Sequence, residues 1–191
     1  MPDLPDLLRP LVGERPSPLF SVLLLVHVPA GLICVVTGAV AMLSRKRRGP
    51  HPRFGEVYYR GLAIVFVSAT GLAMLRWHEH AYLFYLGLLS FGAGSIGYAA
   101  RKRQWPGWMT FHIAGLGLSY IVLLTAFYVD NGPRLPLWNR LPTIAFWLGP
   151  SIVGLPLLAR GLLRHTRVLA DLRAAAGSLL DRPAPPEEAH R

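Results

Sequence analysis

Cysteine is almost missing from this 191-residue chain: Cys34 is the only one. No intramolecular disulfide, Cys-x-x-Cys redox pair or cysteine-rich metal site can be built from it. Inside an apolar run, it reads as a buried structural thiol. Acidic residues are also scarce, ten Asp and Glu against twenty Lys and Arg, and none lies deep in an apolar stretch. The carboxylate that usually carries protons or cations through a membrane is therefore lacking. A Ser-His-Asp triad has no acid there to orient its histidine. A protease and a proton-coupled transporter are both disfavoured. Lysine is reduced to Lys46 and Lys102, the other eighteen cations being arginines; that bias suggests a GC-rich, bacterial coding sequence. Charged residues make up only 16% of the chain, against about 25% in average globular proteins. No fixed-period repeat is present, and no basic n-region with a cleavage site precedes the first apolar run, so no cleaved signal peptide is expected.

What the chain has instead is long apolar blocks. The stretch from Phe20 to Ser44 carries no charged residue over 25 positions and stops at Arg45-Lys46-Arg47-Arg48. At about 1.5 Å per residue it can cross a hydrocarbon core roughly 30 Å thick. Four further blocks follow, over about 54–75, 82–100, 108–129 and 141–159. The fold expected is all-α, a multi-pass bundle of five transmembrane helices. Gly49, Pro50 and Pro52, the RWHEH segment Arg76 to His80, Trp105-Pro106-Gly107 and Asp130-Asn131-Gly132-Pro133 supply the breaks. Pro150 and Pro156 should kink or partly break the fifth span. Residues 160–181 repeat leucines at three- and four-residue spacing among arginines, the pattern of a basic amphipathic helix lying on or under the membrane. Residues 1–19, with five prolines, read as an extracytoplasmic segment, and 182–191 as a disordered Pro/Glu-rich tail.

Loop charge sets the expected orientation. With the amino terminus outside, fifteen of the twenty Lys and Arg fall on the cytoplasmic side, in the 45–60 and 101–103 groups and the tail. The expectation is a bacterial inner-membrane protein with its carboxy terminus inside. Trp77, Tyr82 and Trp138 at one boundary and Trp105 and Trp108 at the other fit aromatic belts. The net charge of +10 then serves topology and anionic lipid contact by Arg45, Lys46, Arg47, Arg48 and Arg60, not nucleic acid. Arg60 is placed to snorkel or to pair with Glu56 one turn earlier.

The candidate chemistry lies with histidines. His27 shares a helix face with Gly31, Cys34 and Gly38, and His112 one with Gly115, Ser119 and Ala126. Small residues mark faces that pack on other helices, so both imidazoles should point inward. One reading is that each hydrogen-bonds a hydroxyl or carbonyl and clamps two helices. The other is a ligand role for haem b or a divalent metal, or a proton relay. Helix rise separates His27 and His112 by roughly 14 Å in depth, so no single ion bridges them. The groupings expected are His27 with His78 or His80 at one end, and His51 with His112 at the other. Gly92-Ala93-Gly94-Ser95-Ile96-Gly97 matches G-x-G-x-x-G. It lies inside an apolar span, where glycines serve helix contact and not a dinucleotide.

His27 with Gly31 and Gly38, the segment His51-Pro52-Arg53-Phe54-Gly55-Glu56-Val57-Tyr58, and His112 opening an apolar helix resemble a bacterial family of predicted membrane proteins. That family is the domain of unknown function 2306. Pro52 stands between His51 and Arg53, where the family pattern runs His-Arg. The resemblance covers about residues 20–130 and implies a multi-pass bundle, with no assigned activity. Three functions are therefore carried forward. The first is a histidine site for haem or metal in electron transfer or respiratory-enzyme assembly. The second is a non-catalytic scaffold binding a membrane-protein partner. The third is a small-solute carrier using Arg60 and a broken fifth helix.

Overall fold

A computed structural model of the chain describes residues 17–44, 49–136 and 138–180. Arg45, Lys46, Arg47 and Arg48, the segment 1–16 and the tail from 181 lie outside the described residues. The architecture is all-α. Five helices are long and apolar enough to cross a bilayer: α1 (Pro18–Leu43), α2 (Pro50–Leu75), α3 (Trp77–Arg103), α4 (Trp108–Asn131) and α5 (Thr143–Leu180). Two short 3-10 turns, Gly132–Arg134 and Trp138–Arg140, join α4 to α5.

The breaks are shorter than the polar sequence suggests. Only Arg76, at φ −139° and ψ 55°, separates α2 from α3, and Trp77 to His80 already form the first turn of α3. Glu79 in that first turn and Arg101, Lys102 and Arg103 in the last suit the two ends of the helix dipole. At the other end of α3, Gln104 at φ 50° and Gly107 at φ 70° reverse the chain into α4. Both are left-handed, a conformation that Gly107 adopts without Cβ strain. Ser17 caps α1 by accepting from the Phe20 N–H at 3.2 Å.

The fifth span departs from its expected form. It neither breaks at Pro150 or Pro156 nor ends near Ala159. One helix of 38 residues runs from Thr143 to Leu180 with both prolines inside it. Each proline forfeits its own hydrogen bond and crowds the carbonyl one turn back, yet neither ends the helix. In lipid, unwinding would expose further backbone groups, so continuation is the lower-energy course.

α1 to α4 alternate in direction around a shared core, and α5 packs on α4 from outside. The closest seams are α1/α2 and α3/α4, and both are built on missing side chains. A Cβ on Gly61 would meet Cys34 Sγ at 2.7 Å. On Gly97 it would meet the Leu116 backbone nitrogen at 2.9 Å, and on Gly115 the Ala93 carbonyl at 2.6 Å. The α3 and α4 backbones therefore touch. Gly94 abuts Ser119 and Leu62 in the same seam, whereas Gly92 faces open space. The G-x-G-x-x-G run is thus helix packing at two of its three glycines.

Leu62, Cys34 and Ser119 are the largest of the fully buried side chains, with Tyr58, Ala30, Val65 and Leu123 around them. Outward positions such as Leu25, Val67, Ile152 and Leu157 are apolar and exposed, as lipid-facing residues should be. A second feature lies between α2 and α3. Tyr98 stacks on Tyr59 at 4.0 Å, Tyr59 on Phe91 at 6.2 Å, and Phe91 on Phe66 at 5.0 Å. Phe84 and Trp77 continue the series. From Tyr98 to Trp77 this ladder climbs about 30 Å, the thickness of the hydrocarbon core.

Candidate functional site

Each sequence-nominated histidine has a definite place. His27, on α1, sets Nδ1 3.0 Å from Ser68 Oγ on α2. Ser68 commits its own hydrogen to the Ile64 and Val65 carbonyls, at 2.7 and 3.1 Å. The His27 ring and the Ser68 hydroxyl thus form one hydrogen bond across the α1/α2 seam. This is the clamp arrangement between two helices. His78 is exposed. His80 lies half-buried in the first turn of α3, its Nε2 3.8 Å from Glu79 Oε2. His27 thus bonds to Ser68 on α2, while His80 approaches Glu79 on its own helix.

The other grouping does come together. His51 opens α2 and His112 stands in the second turn of α4. Their ring centres are 6.2 Å apart with planes at 79°. His51 Nδ1 is 2.7 Å from the Ala41 carbonyl, and His112 Nδ1 is 3.2 Å from that of Gly97. A carbonyl can only accept, so both Nδ1 atoms carry the proton, and in the neutral ring Nε2 holds the lone pair. Ala41 belongs to the last turn of α1, where carbonyls lack intrahelical partners, so His51 also caps that helix. Gly97 accepts because the α3–α4 backbone contact leaves its carbonyl within reach. Trp108 flanks His112 edge-on at 6.2 Å, and the Arg101 guanidinium lies 5.0 Å over the Trp108 ring. The pair thus joins the α1/α2 hairpin to the α3/α4 hairpin at the end of the bundle richest in arginine.

Beyond this pair lies a polar centre that sequence reasoning missed. Tyr58 and Ser119 hydroxyls meet at 2.7 Å in the buried core. Ser90 Oγ donates to the Ser119 carbonyl at 2.9 Å, and Tyr120 OH donates to the Val35 carbonyl at 2.9 Å. Cys34 Sγ donates to the Tyr58 carbonyl at 3.6 Å, the structural role its burial implied. The sequence signal was available: Tyr58 and Ser119 each follow a paired histidine by seven residues, so both stay on the face that meets the partner helix.

Arg60 does not line the bundle. Its side chain is 75% exposed on the outer surface and pairs with Glu56 at 3.1 Å. The i,i+4 pairing expected from sequence is present, but an interior cation for a solute is not. Among the described residues no group of three or more His, Cys, Asp or Glu is placed to hold a metal ion. Compared with protein-family models, curated proteins and solved structures, the chain finds no match.

Proposed function

We propose that this chain is a small integral membrane protein whose His51 and His112 ligate the iron of a b-type haem, serving electron transfer in a bacterial inner membrane. The observation that carries the reading is the mutual placement of these two rings. Each is held by Nδ1 on a backbone carbonyl, the support that orients ligating histidines. The ring centres stand 6.2 Å apart, so the two side chains would hold one group together.

The donor set separates the two cofactors. A divalent ion held by protein alone takes three or four ligands, and the described residues offer no such group. Haem would need few ligands from the chain, here His51 and His112, because the porphyrin brings its own. Two histidines therefore fit haem and do not fit a structural zinc. When bound, haem would supply a one-electron redox centre. The chain's own contribution is to fix both tautomers and to place Trp108 against His112. The basic end that carries the pair would face the cytoplasm under the positive-inside rule. The resemblance to the domain of unknown function 2306 family covers the same histidines and adds no activity. The deciding experiment is purification from haem-replete cells, followed by absorption spectra of the oxidised and reduced protein. A folded, colourless product overturns the reading.

The His27–Ser68 clamp favours one further reading, a non-catalytic scaffold whose histidines tie helices together. In that case the His51–His112 contact is a second clamp, and assembly with a membrane partner survives replacement of both rings. The carrier reading loses both of its supports, since Arg60 faces outward and α5 is unbroken.

A further inference from the structure

The aromatic ladder between α2 and α3 begins, at the basic end, in a charged corner. Tyr98 OH donates to both Glu56 carboxylate oxygens, at 3.0 and 2.9 Å. Glu56 also holds Arg60 at 3.1 Å. Lys102 Nζ lies 5.4 Å over the Tyr98 ring, whose stacking partner is Tyr59 at 4.0 Å. Arg53 stands one turn before Glu56 on the same face of α2 and is exposed. Arg60 on the carboxylate, Lys102 over the phenol and Arg53 one turn away leave this corner with an excess of positive charge.

Depth makes the excess informative. α2 has 26 residues, about 39 Å of helix against a core of roughly 30 Å. Arg60, ten residues in, has its Cα inside the hydrocarbon. Its Cβ tilts toward the helix N-terminus, and Glu56 fixes the guanidinium one turn nearer the headgroups. The arm is thus held at the boundary, exposed, with hydrogen-bond capacity that one carboxylate does not exhaust. Immediately beyond it, Tyr59, Phe91 and Phe66 offer a flat, half-exposed apolar strip running into the bilayer.

We propose that this corner binds one anionic phospholipid. Arg60, Lys102 and Arg53 would take its phosphate, and its acyl chains would lie along the ladder. The charged head followed by a long apolar path matches a lipid and not a free anion. A second copy of this chain would bring its own cations to the same level. Glu56 is the only acid that α1 to α4 carry at this end, for Glu79 and Asp130 lie at the other.

The test is native mass spectrometry of the purified full chain, offered phosphatidylglycerol or phosphatidylcholine in detergent. Retention of one phosphatidylglycerol in preference to phosphatidylcholine is expected. Arg60→Gln and Lys102→Gln should each weaken it about fivefold. Glu56→Gln should strengthen it about threefold by removing a competing negative charge, an effect that a purely structural role would not produce. Arg134→Gln, at the opposite end, should change nothing. If Arg60→Gln fails to fold, Lys102→Gln at the rim carries the test. Equal retention of the two lipids, indifference to Lys102→Gln in a fully helical protein, or displacement by inorganic phosphate at millimolar concentration overturns the proposal.

Discussion

Tyr58 and Ser119 hydrogen-bond at 2.7 Å directly above the His51–His112 contact, each seven residues further along its own helix. α2 and α4 therefore run parallel in matched register, two polar pairs deep. The lower pair sits at the basic boundary and the upper one in the apolar core. That register governs what substitutions on either helix should do.

The two histidine pairs should separate cleanly in a spectrum. His51→Ala and His112→Ala should each abolish the Soret band of protein purified from haem-replete cells. His27→Ala should keep the band while loosening the α1/α2 seam by about 1 kcal/mol, the usual scale of an interhelical hydrogen bond in a membrane. Absorbance per mole of protein, with circular dichroism as the folding control, decides it. Loss of colour only in His27→Ala would place the site at the wrong end.

Glycine substitutions along α3 should differ sharply although the residues are close in sequence. Gly92 has open space around it, so Gly92→Ala should be neutral or mildly stabilising. Gly97→Ala forces a methyl group against the α4 backbone and should cost about 1–3 kcal/mol. It should also shift His112, whose anchor is the Gly97 carbonyl. Thermal unfolding in detergent measures the first effect, and haem content the second.

The buried hydroxyl pair should behave as a unit. Tyr58→Phe or Ser119→Ala alone leaves the other hydroxyl without its partner and should destabilise by about 1 kcal/mol. The double variant should cost less than the sum of the two, because neither unmatched group remains. A strictly additive double-mutant cycle would mean that the 2.7 Å contact contributes nothing.

An odd number of crossings puts the two ends on opposite faces. Reporter fusions before Ser17 and after Leu180 should give opposite signals, with the arginine-rich end of α5 on the cytoplasmic side. Signals from the same side would remove one of the five spans.

The sequence made the helices legible because lipid imposes a simple rule: runs without charge must be helical and long enough to cross. It also showed the inward face of His112, from Gly115 and Ser119. The helix ends were harder to read. RWHEH looks like a loop, yet four of its five residues are helical, since histidine and glutamate tolerate a first turn at a polar boundary. Pro150 and Pro156 look like breaks, yet the bilayer penalises an open backbone more than a missing hydrogen bond. The candidate site was half visible. His51 with His112 follows from depth alone, whereas Tyr58 with Ser119 needs the relative register of two helices that are not neighbours in sequence. The pairing of Arg60 with Glu56 was legible from their spacing, but the sequence does not say which face of α2 meets α1 and α3, so a carrier role for Arg60 stayed open.

The single-residue corner at Arg76 bears on how the protein enters its membrane. With one residue between α2 and α3, the hairpin carries almost no polar mass at its tip, whichever side that tip faces. The tip itself is partly self-neutralised, Arg76 lying 3.7 Å from Glu79. The two helices are suited to enter as one wedge, stapled along their length by stacked rings.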